Sequence, residues 1–173
     1  MAARDFEESV LPHLDAAFNY ARWLTRNDAE AEDVVQDACL RALRYFTGLR
    51  GGDARAWLFA IVRNAWYSRL SRSATLVEST RITDARNDSP DESPGPEALL
   101  LQQHAVARVR LALEQLPPDF REVIVLRELE GLSYKEIAAV VHVPIGTVMS
   151  RLARARERLL QVLKLSTPLE TMP

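Results

Sequence analysis

Residues 133–160 read SYKEIAAVVHVPIGTVMSRLARARERLL and predict two helices joined by a tight turn. Ser133 precedes Glu136 by three positions, the spacing of a capping box, in which the two residues satisfy each other's free backbone N–H groups at a helix start. Pro144 ends this helix but suits the first turn of the next one. His142 lies in the turn, and histidine tolerates a left-handed backbone better than most residues. The stretch therefore predicts a helix-turn-helix, preceded by a helix that ends at Gly131.

The second helix, from about Ile145 to Leu163, has an apolar side and a basic side. The apolar side carries Val148, Leu152, Ala155 and Leu159, and the other faces carry Ser150, Arg151, Arg154, Arg156 and Arg158. A DNA major groove admits one helix, where arginine can bond a guanine edge or a phosphate. The alternative is a solvated basic surface. The capping box, the proline turn and the small Ala138 at the helix crossing favour DNA binding.

Helical periodicity extends through the rest of the chain, without a convincing strand pattern. It is clearest in the spacing of Leu14, Phe18, Ala21 and Leu24 and of Val106, Val109, Leu113 and Leu116. Between these segments, prolines, serines and acids form a stretch that cannot bury enough surface to fold. We predict an all-α chain: a helical bundle over 1–74, a flexible acidic linker over 75–97, a second bundle with the helix-turn-helix over 98–165, and a tail over 166–173. Because the linker has no apolar stripe, we expect the two bundles to move independently.

The formal net charge of −2 and the pI of about 6.0 argue at first against a nucleic-acid partner. The average conceals strong segregation, with acids at 28–37 and 78–97 and bases at 41–72 and 151–164. Segregated charge predicts separate partners.

A helix around Asp33 has a core side and an acidic side. On a helical wheel Val35, Ala38, Cys39, Ala42 and Phe46 fall on the core side, and Asp33, Gln36, Asp37 and Leu40 on the other. Charge on helices is usually just solvated. Leu40 in the middle of the acidic side favours a partner surface instead.

A glycine-rich break at 48–53 precedes a helix over 54–71 in which aromatic and basic residues alternate. Rings can stack on the bases of single-stranded nucleic acid while arginines bind phosphates. Trp57 also shares one helical side with Leu58, Ile61 and Ala65, so ordinary core packing remains an alternative for it.

Several function classes are disfavoured. Cys39 is the single cysteine and cannot form an internal disulfide, and the N-terminus lacks a secretory signal pattern, so we expect a cytoplasmic protein. No stretch approaches the roughly 20 apolar residues of a membrane span. His13, His104 and His142 are scattered, and no phosphate-binding glycine loop follows a strand. We expect no metal, no cofactor and no enzymatic activity.

Three segments together resemble a known family: DAEAEDVVQDACLRAL at 28–43, GGDARAWLFAIVRNAWYSRL at 51–70 and LPPDFREVIVLRELEGLSYKEIAAVVHVPIGTVMSRLARARERL at 116–159. In content and order they are similar to the extracytoplasmic-function sigma factors, from about Phe18 to Leu160. The resemblance implies a transcription initiation factor that binds core RNA polymerase, directs it to promoters and helps to melt them.

The resemblance also implies roles for individual residues. Polymerase binding falls on Asp33, Gln36, Asp37 and Leu40. Reading of the melted minus-ten element falls on Gly51, Gly52, Asp53, Ala54, Trp57, Arg63, Asn64, Tyr67 and Ser68. Reading of the double-stranded minus-thirty-five element falls on Ser133, Tyr134, Thr147, Met149, Ser150, Arg151, Arg154 and Arg158. The implied partners are core RNA polymerase, promoter DNA and an anti-sigma factor.

The chain departs from the family pattern at three positions. Trp57-Leu58 stands where primary sigma factors carry a tryptophan pair, which implies weaker melting. Met149 replaces a common basic residue, so promoter preference is expected to differ. His142 replaces a frequent glycine. The acidic linker takes the place of the third sigma domain and, by resemblance, would thread toward the polymerase channels.

Two rival functions keep a binding role without promoter-directed initiation. A decoy that only sequesters an anti-sigma factor has no need of Asn64 or Arg154 together with the basic-aromatic helix. A lone DNA-binding regulator has no need of the Asp33-Asp37 face. Binding to core polymerase would separate the lone regulator from a sigma factor.

Overall fold

A computed structural model describes residues 2–49, 51–76 and 97–166, and within these ranges the regular structure is entirely helical. The first half contains α1 (Ala2–Ser9), α2 (Leu14–Thr25), α3 (Asp28–Tyr45) and α4 (Ala54–Leu76), with 3-10 turns at Leu11–His13 and Phe46–Gly48. The second half contains α5 (Glu97–Glu114), α6 (Pro118–Ile124), α7 (Tyr134–Val141) and α8 (Ile145–Leu165), with a π-helical turn at Val125–Leu129 after α6. The predicted all-α fold is confirmed.

The first bundle is formed by α2, α3 and α4 packed against one another. The start of α3 is fixed by Asn27, whose side chain accepts a hydrogen bond from the backbone N–H of Glu30 at 3.1 Å. The largest side chains in its core are Tyr20 and Phe59, whose ring centroids are 5.2 Å apart. Of the residues predicted to face inward, Ala38, Ala42, Leu58 and Ala65 are buried, whereas Val35, Cys39, Phe46, Trp57 and Ile61 are half-buried.

The helix-turn-helix forms as its sequence predicts. The backbone N–H of Ser133 donates to Glu136 Oε2 at 2.7 Å, and the N–H of Glu136 donates to Ser133 Oγ at 3.1 Å. His142 adopts the left-handed conformation with φ of 57°, and Gly131 does so with φ of 68°. The axes of α7 and α8 are bent by 100° across the turn, within the range of this motif.

Two helix ends extend slightly into the predicted linker. Residues 75 and 76 belong to α4 and Glu97 begins α5, although all three were assigned to the linker. The remainder of the linker, 77–96, and the tail from 167 onward lie outside the described residues.

The periodicity of α5 misleads about its core side. Leu113 and Leu116 are buried as predicted, but Val106 and Val109 are exposed. The C-terminal end of α5 contributes buried residues, whereas 98–111 are exposed along their whole length. An apolar period shows that a helix has an apolar side, but not that anything in the same chain covers it.

The two bundles are in contact, contrary to the independent movement that we expected from the linker. Helix α4 packs against α7, and α2 contacts α6, so buried residues from both halves form one cluster. The contact is made by side chains on the helices themselves. The composition of the linker therefore could not predict it.

Candidate nucleic-acid interface

The acidic side of α3 faces solvent. Leu40 is 68% exposed, and Asp33 and Gln36 are also exposed. Asp37 is half-buried and forms a salt bridge to Arg41 at 3.0 Å, while Asp33 lies 3.6 Å from Arg69 on α4. All four predicted polymerase-binding residues therefore lie on one accessible surface that combines carboxylates with a leucine.

The glycine-rich loop sets the start of α4. Gly51 has φ of 64°, a backbone conformation that residues with a Cβ rarely adopt. Gly52 and Asp53 beside it are exposed. Asp53 accepts a hydrogen bond from the backbone N–H of Arg55 at 2.9 Å, which caps the helix. The loop therefore presents backbone groups and the Asp53 carboxylate at the N-terminal end of the basic-aromatic helix α4.

Four predicted minus-ten residues share one side of α4. At 100° per residue Asp53, Trp57, Asn64 and Ser68 fall within about 60° of one another, opposite Val62 in the core. Trp57 is half-buried, with its ring centroid 6.4 Å from that of Phe46. This contact agrees with the core-packing alternative for part of the ring.

The second bundle contacts the predicted minus-ten residues along the same helix. Arg63 Nε donates to Glu122 Oε1 on α6 at 2.6 Å, and its guanidinium lies 4.5 Å from the centroid of the Tyr67 ring. Asn64 Oδ1 lies 3.4 Å from His142 Nε2 in the turn of the helix-turn-helix. Residues predicted to bind DNA thus contact protein here.

Glu122 is the centre of a buried polar cluster. It is 4% exposed and also accepts a hydrogen bond from the Tyr20 hydroxyl on α2 at 2.6 Å. Burial, followed by the charge of Glu122, raises the pKa of Tyr20 well above its ordinary value. Burial lowers the pKa of Arg63, but the hydrogen bond and charge of Glu122 outweigh it, so the pKa rises. The cluster therefore favours neutral Tyr20 and charged Arg63.

The recognition helix α8 presents a basic side beside its core side. Thr147, Arg151, Arg154 and Arg158 fall within about 60° on the wheel, with Ser150 next to them. Arg151 lies 4.0 Å from Asp119, whereas Arg154 and Arg158 are exposed and form no salt bridge with any other described residue. Arg156, on another side, donates to Glu128 at 2.7 Å. Arg154 and Arg158 are thus the accessible cations of the basic side.

The remaining predicted minus-thirty-five residues divide between structural and exposed positions. The Ser133 hydroxyl caps α7. The Arg127 guanidinium lies over the Tyr134 ring, 4.8 Å from the ring centroid. The Ser150 hydroxyl donates to the Thr147 carbonyl at 3.1 Å. Met149 is 53% exposed but lies about 140° from Arg154 around the helix, at the far edge of the solvent-facing arc.

Sequence reasoning missed the buried polar residues Tyr20, Arg121 and Glu122. Arg121 donates to the carbonyls of Leu113, Glu114 and Leu116 at 2.9–3.2 Å and so closes the C-terminal end of α5. Arg121 and Glu122 stand next to each other inside the otherwise apolar run 120–126. This pattern could have indicated buried polar contacts, because buried charges require partners. The sequence did not indicate which partners these would be.

The described parts of the chain contain no group of three or more His, Cys, Asp or Glu side chains placed to hold a metal ion. No single described helix is long and apolar enough to cross a membrane. Helices α7 and α8 would be long and apolar enough only when taken together, and they are bent by 100°.

Comparison with known proteins gives two family matches in chain order. Residues 10–75 match the family model for sigma-70 region 2, and residues 107–159 match that for sigma-70 region 4. The chain is 40% identical over 136 residues to the ECF RNA polymerase sigma-E factor of Escherichia coli, covering 74% of this chain and 71% of that protein. It is 33% identical over 158 residues to the ECF RNA polymerase sigma factor SigE of Mycolicibacterium smegmatis, covering 91% of this chain and 61% of that protein.

A solved structure is similar to this chain in fold. The sigma factor RpoE of Bartonella quintana, in complex with the anti-sigma factor NepR, superposes with a TM-score of 0.73 at 31% identity. The match covers 95% of this chain and 99% of that one.

Proposed function

Because the chain belongs to the extracytoplasmic-function RNA polymerase sigma factors, we propose that it binds core RNA polymerase and directs it to promoters. The first bundle would read and open the minus-ten element, and the second would read the minus-thirty-five element. The supporting observation is that one chain carries both the accessible acidic surface on α3 and a helix-turn-helix with accessible arginines. Sigma factors are not enzymes, and catalysis belongs to the polymerase.

In this proposal the polymerase docks on the surface formed by Asp33, Gln36, Asp37 and Leu40. Exposed carboxylates around an exposed leucine suit a basic partner with an apolar contact at its centre. A lone DNA-binding regulator would not need this surface.

The minus-ten element would be read by the loop at 51–54 and the exposed side of α4. Unstacking a base costs a few kcal/mol, which a pocket and an aromatic surface can recover. Asn64 offers hydrogen bonds to a base edge, and the exposed Tyr67 offers a ring. Arg63 would supply a cation only after leaving Glu122. The half-buried Trp57 supplies only part of its surface, which fits dependence on well-matched promoters.

The minus-thirty-five element would be read by Thr147, Ser150, Arg151, Arg154 and Arg158 on α8. Arginine can donate two hydrogen bonds to a guanine edge in the major groove. Ser133 and Tyr134, at the start of α7, would act mainly by holding the motif in shape.

We further propose that the protein acts in the cytoplasm and is controlled by an anti-sigma factor. The second proposal rests on the similar RpoE, whose structure contains NepR. A partner that covers either the α3 surface or α8 would prevent initiation.

Run-off transcription tests the proposal directly. Core polymerase would be combined with the purified chain on a library of genomic fragments, and discrete transcripts are expected only when the chain is present. Binding to DNA without binding to core polymerase would instead support a lone regulator.

A further inference from the structure

We propose that the cavity between α2, α4 and α6 is a binding site for a small aromatic carboxylate. The ring of the ligand would lie against Trp23 and Trp66, and its carboxylate would bind Arg26 and Arg121. The inference goes beyond the proposed function and does not depend on it.

The cavity has the size and the walls of a small-molecule site. Its volume is about 330 Å³, at the small end of the range for ligand pockets. Its apolar walls include Trp23 and Leu24 of α2, Trp66 and Leu70 of α4, and Pro118 at the start of α6. Both tryptophans are half-buried and line the cavity, so part of each indole ring is available to a ligand. Such walls favour a flat apolar body, because aromatic rings stack on one another.

Arg121 offers a fixed hydrogen-bond donor to the cavity. The residue is 8% exposed, and its Nε and Nη2 atoms donate to the carbonyls of Leu113, Glu114 and Leu116. The described residues provide no acceptor for Nη1, yet they contain no buried side-chain nitrogen or oxygen that is sealed without a partner. Nη1 is therefore open to the cavity that Arg121 lines. Its two N–H groups, on a cation held in place by three carbonyls, suit a carboxylate oxygen.

Arg26 brings a second positive charge to the same cavity. Its Nη2 atom lies 3.9 Å from Glu114 Oε2, and Glu114 also lies 3.8 Å from Arg110. One carboxylate thus serves two arginines through long, partly exposed ion pairs. Burial, followed by the charge of Arg26, lowers the pKa of Arg121. A ligand carboxylate between Arg26 and Arg121 would offset this repulsion.

The charges around the cavity select an anion rather than a cation. Aromatic walls can also bind a cation, for which a carboxylate is the natural partner. The carboxylate that lines this cavity, Glu122, already accepts hydrogen bonds from Tyr20 and Arg63 at 2.6 Å each. The charge of Glu122 is thus matched by Arg63, and the positive excess comes from Arg26 and Arg121. A ligand that combines a ring with a carboxylate suits both the walls and this excess.

The binding test uses the full chain without polymerase or DNA, and cinnamate is the probe. NMR of the ¹⁵N-labelled chain resolves the indole N–H groups of the three tryptophans, assigned by replacing each in turn with phenylalanine. We expect saturable shifts for Trp23 and Trp66. Trp57 is the internal control, because it lies half a turn away from Trp66 around α4 and contacts Phe46.

Two partial ligands test the two halves of the site. Neutral cinnamamide keeps the ring and lacks the charge, and inorganic phosphate keeps the charge and lacks the ring. Calorimetric titration should give each a dissociation constant at least about tenfold above that of cinnamate, the factor expected from losing one charged hydrogen bond or one stacked ring. Cinnamamide that binds as tightly as cinnamate would overturn the anion site. Phosphate that binds as tightly as cinnamate would overturn the aromatic contact.

Two substitutions beside the cavity should act in opposite directions. Arg26→Gln removes one cation and should weaken cinnamate binding at least about tenfold. Glu114→Gln removes the carboxylate that competes for Arg26 and should strengthen binding about two- to fivefold, the factor of an exposed ion pair. The Glu114 backbone carbonyl that holds Arg121 is unchanged in this variant. Arg4→Gln on α1 also removes an arginine that is paired with a glutamate, and is the matched control.

Circular dichroism would verify that the variants keep their helices. Equal affinity for cinnamate in folded Arg26→Gln and in the parent chain would overturn the carboxylate site. If Arg26→Gln does not fold, Glu114→Gln decides, because unchanged or weaker binding in that variant contradicts the competition for Arg26.

The NMR titration can overturn the proposal on its own. Either no saturable shift at Trp23 and Trp66, or equal shifts at all three tryptophans, would do so, since the latter identifies non-specific contact with the surface. None of these measurements involves transcription, so failure of the chain in the run-off assay would overturn the proposed function and leave the ligand site standing.

Discussion

Tyr20 on α2 donates its phenolic hydrogen to Glu122 on α6 at 2.6 Å, across 102 positions of sequence. Together with Arg63 on the same carboxylate, this bond joins the two promoter-reading bundles through buried polar groups. Tyr20 therefore reports on the contact between the bundles, and its ionisation can be followed directly.

Alkaline titration should distinguish Tyr20 from the other three tyrosines. Its pKa is raised in the folded chain by burial and by Glu122, so the stability it contributes is complete below the ordinary value of 10.0 and is lost as pH rises above it. Burial, followed by the charge of Glu122, also raises the pKa of Tyr67. Absorbance of tyrosinate should therefore show late steps, of which Tyr20→Phe removes one and Tyr67→Phe another. Late steps unchanged in Tyr20→Phe would contradict the assignment, and Tyr45→Phe is the exposed control.

Charge reversal on α3 should abolish polymerase binding without unfolding the chain. Asp33→Lys with Asp37→Lys removes two exposed or half-exposed salt bridges, which contribute at most about 1 kcal/mol each. The loss of charge complementarity should weaken binding to core polymerase by roughly 2–5 kcal/mol. Glu7→Lys with Glu8→Lys on α1 changes the charge equally. Holoenzyme formation unaffected by the α3 reversal would refute the assignment of this surface.

Arg154→Ala should weaken promoter binding by roughly 1–3 kcal/mol if Arg154 reads a base edge. Its guanidinium is exposed on the basic side of α8, whereas Arg156 is held by Glu128 and serves as the control substitution. Binding would be measured on the cognate promoter and on single-base variants. An equal loss on every sequence would identify a phosphate contact instead.

Ser133→Ala should act on stability rather than on DNA contacts. Its hydroxyl accepts the N–H of Glu136 at the start of α7, and the loss of such a cap costs about 0.5–2 kcal/mol. Urea unfolding would measure this, and Ser150→Ala on the exposed side of α8 should leave the unfolding midpoint nearly unchanged. A loss of DNA affinity in Ser133→Ala at unchanged stability would restore the contact role implied by the family.

Local signals made the helix-turn-helix predictable. The capping box, Gly131 and the His142-Pro144 turn each fix the backbone through neighbours a few residues away. The buried bond between Tyr20 and Glu122 has no such local cause. Sequence reasoning placed Arg63 and Asn64 at a nucleic-acid surface, but it gave no means to see that α6 and α7 occupy that surface in the free chain.

Met149→Arg should change how strongly the second bundle binds DNA. The side chain is 53% exposed, so a longer cation fits there without disturbing the buried Leu152. One added phosphate contact should raise affinity for all sequences and steepen the dependence of log K on log salt by about 1. A base contact should instead strengthen only promoters that carry the matching base. Met149 lies at the edge of the solvent-facing arc that is far from Arg151, Arg154 and Arg158. The same substitution therefore tests how much of α8 the major groove of DNA covers. A salt slope and promoter preference equal to those of the parent chain would place this edge outside the DNA contact.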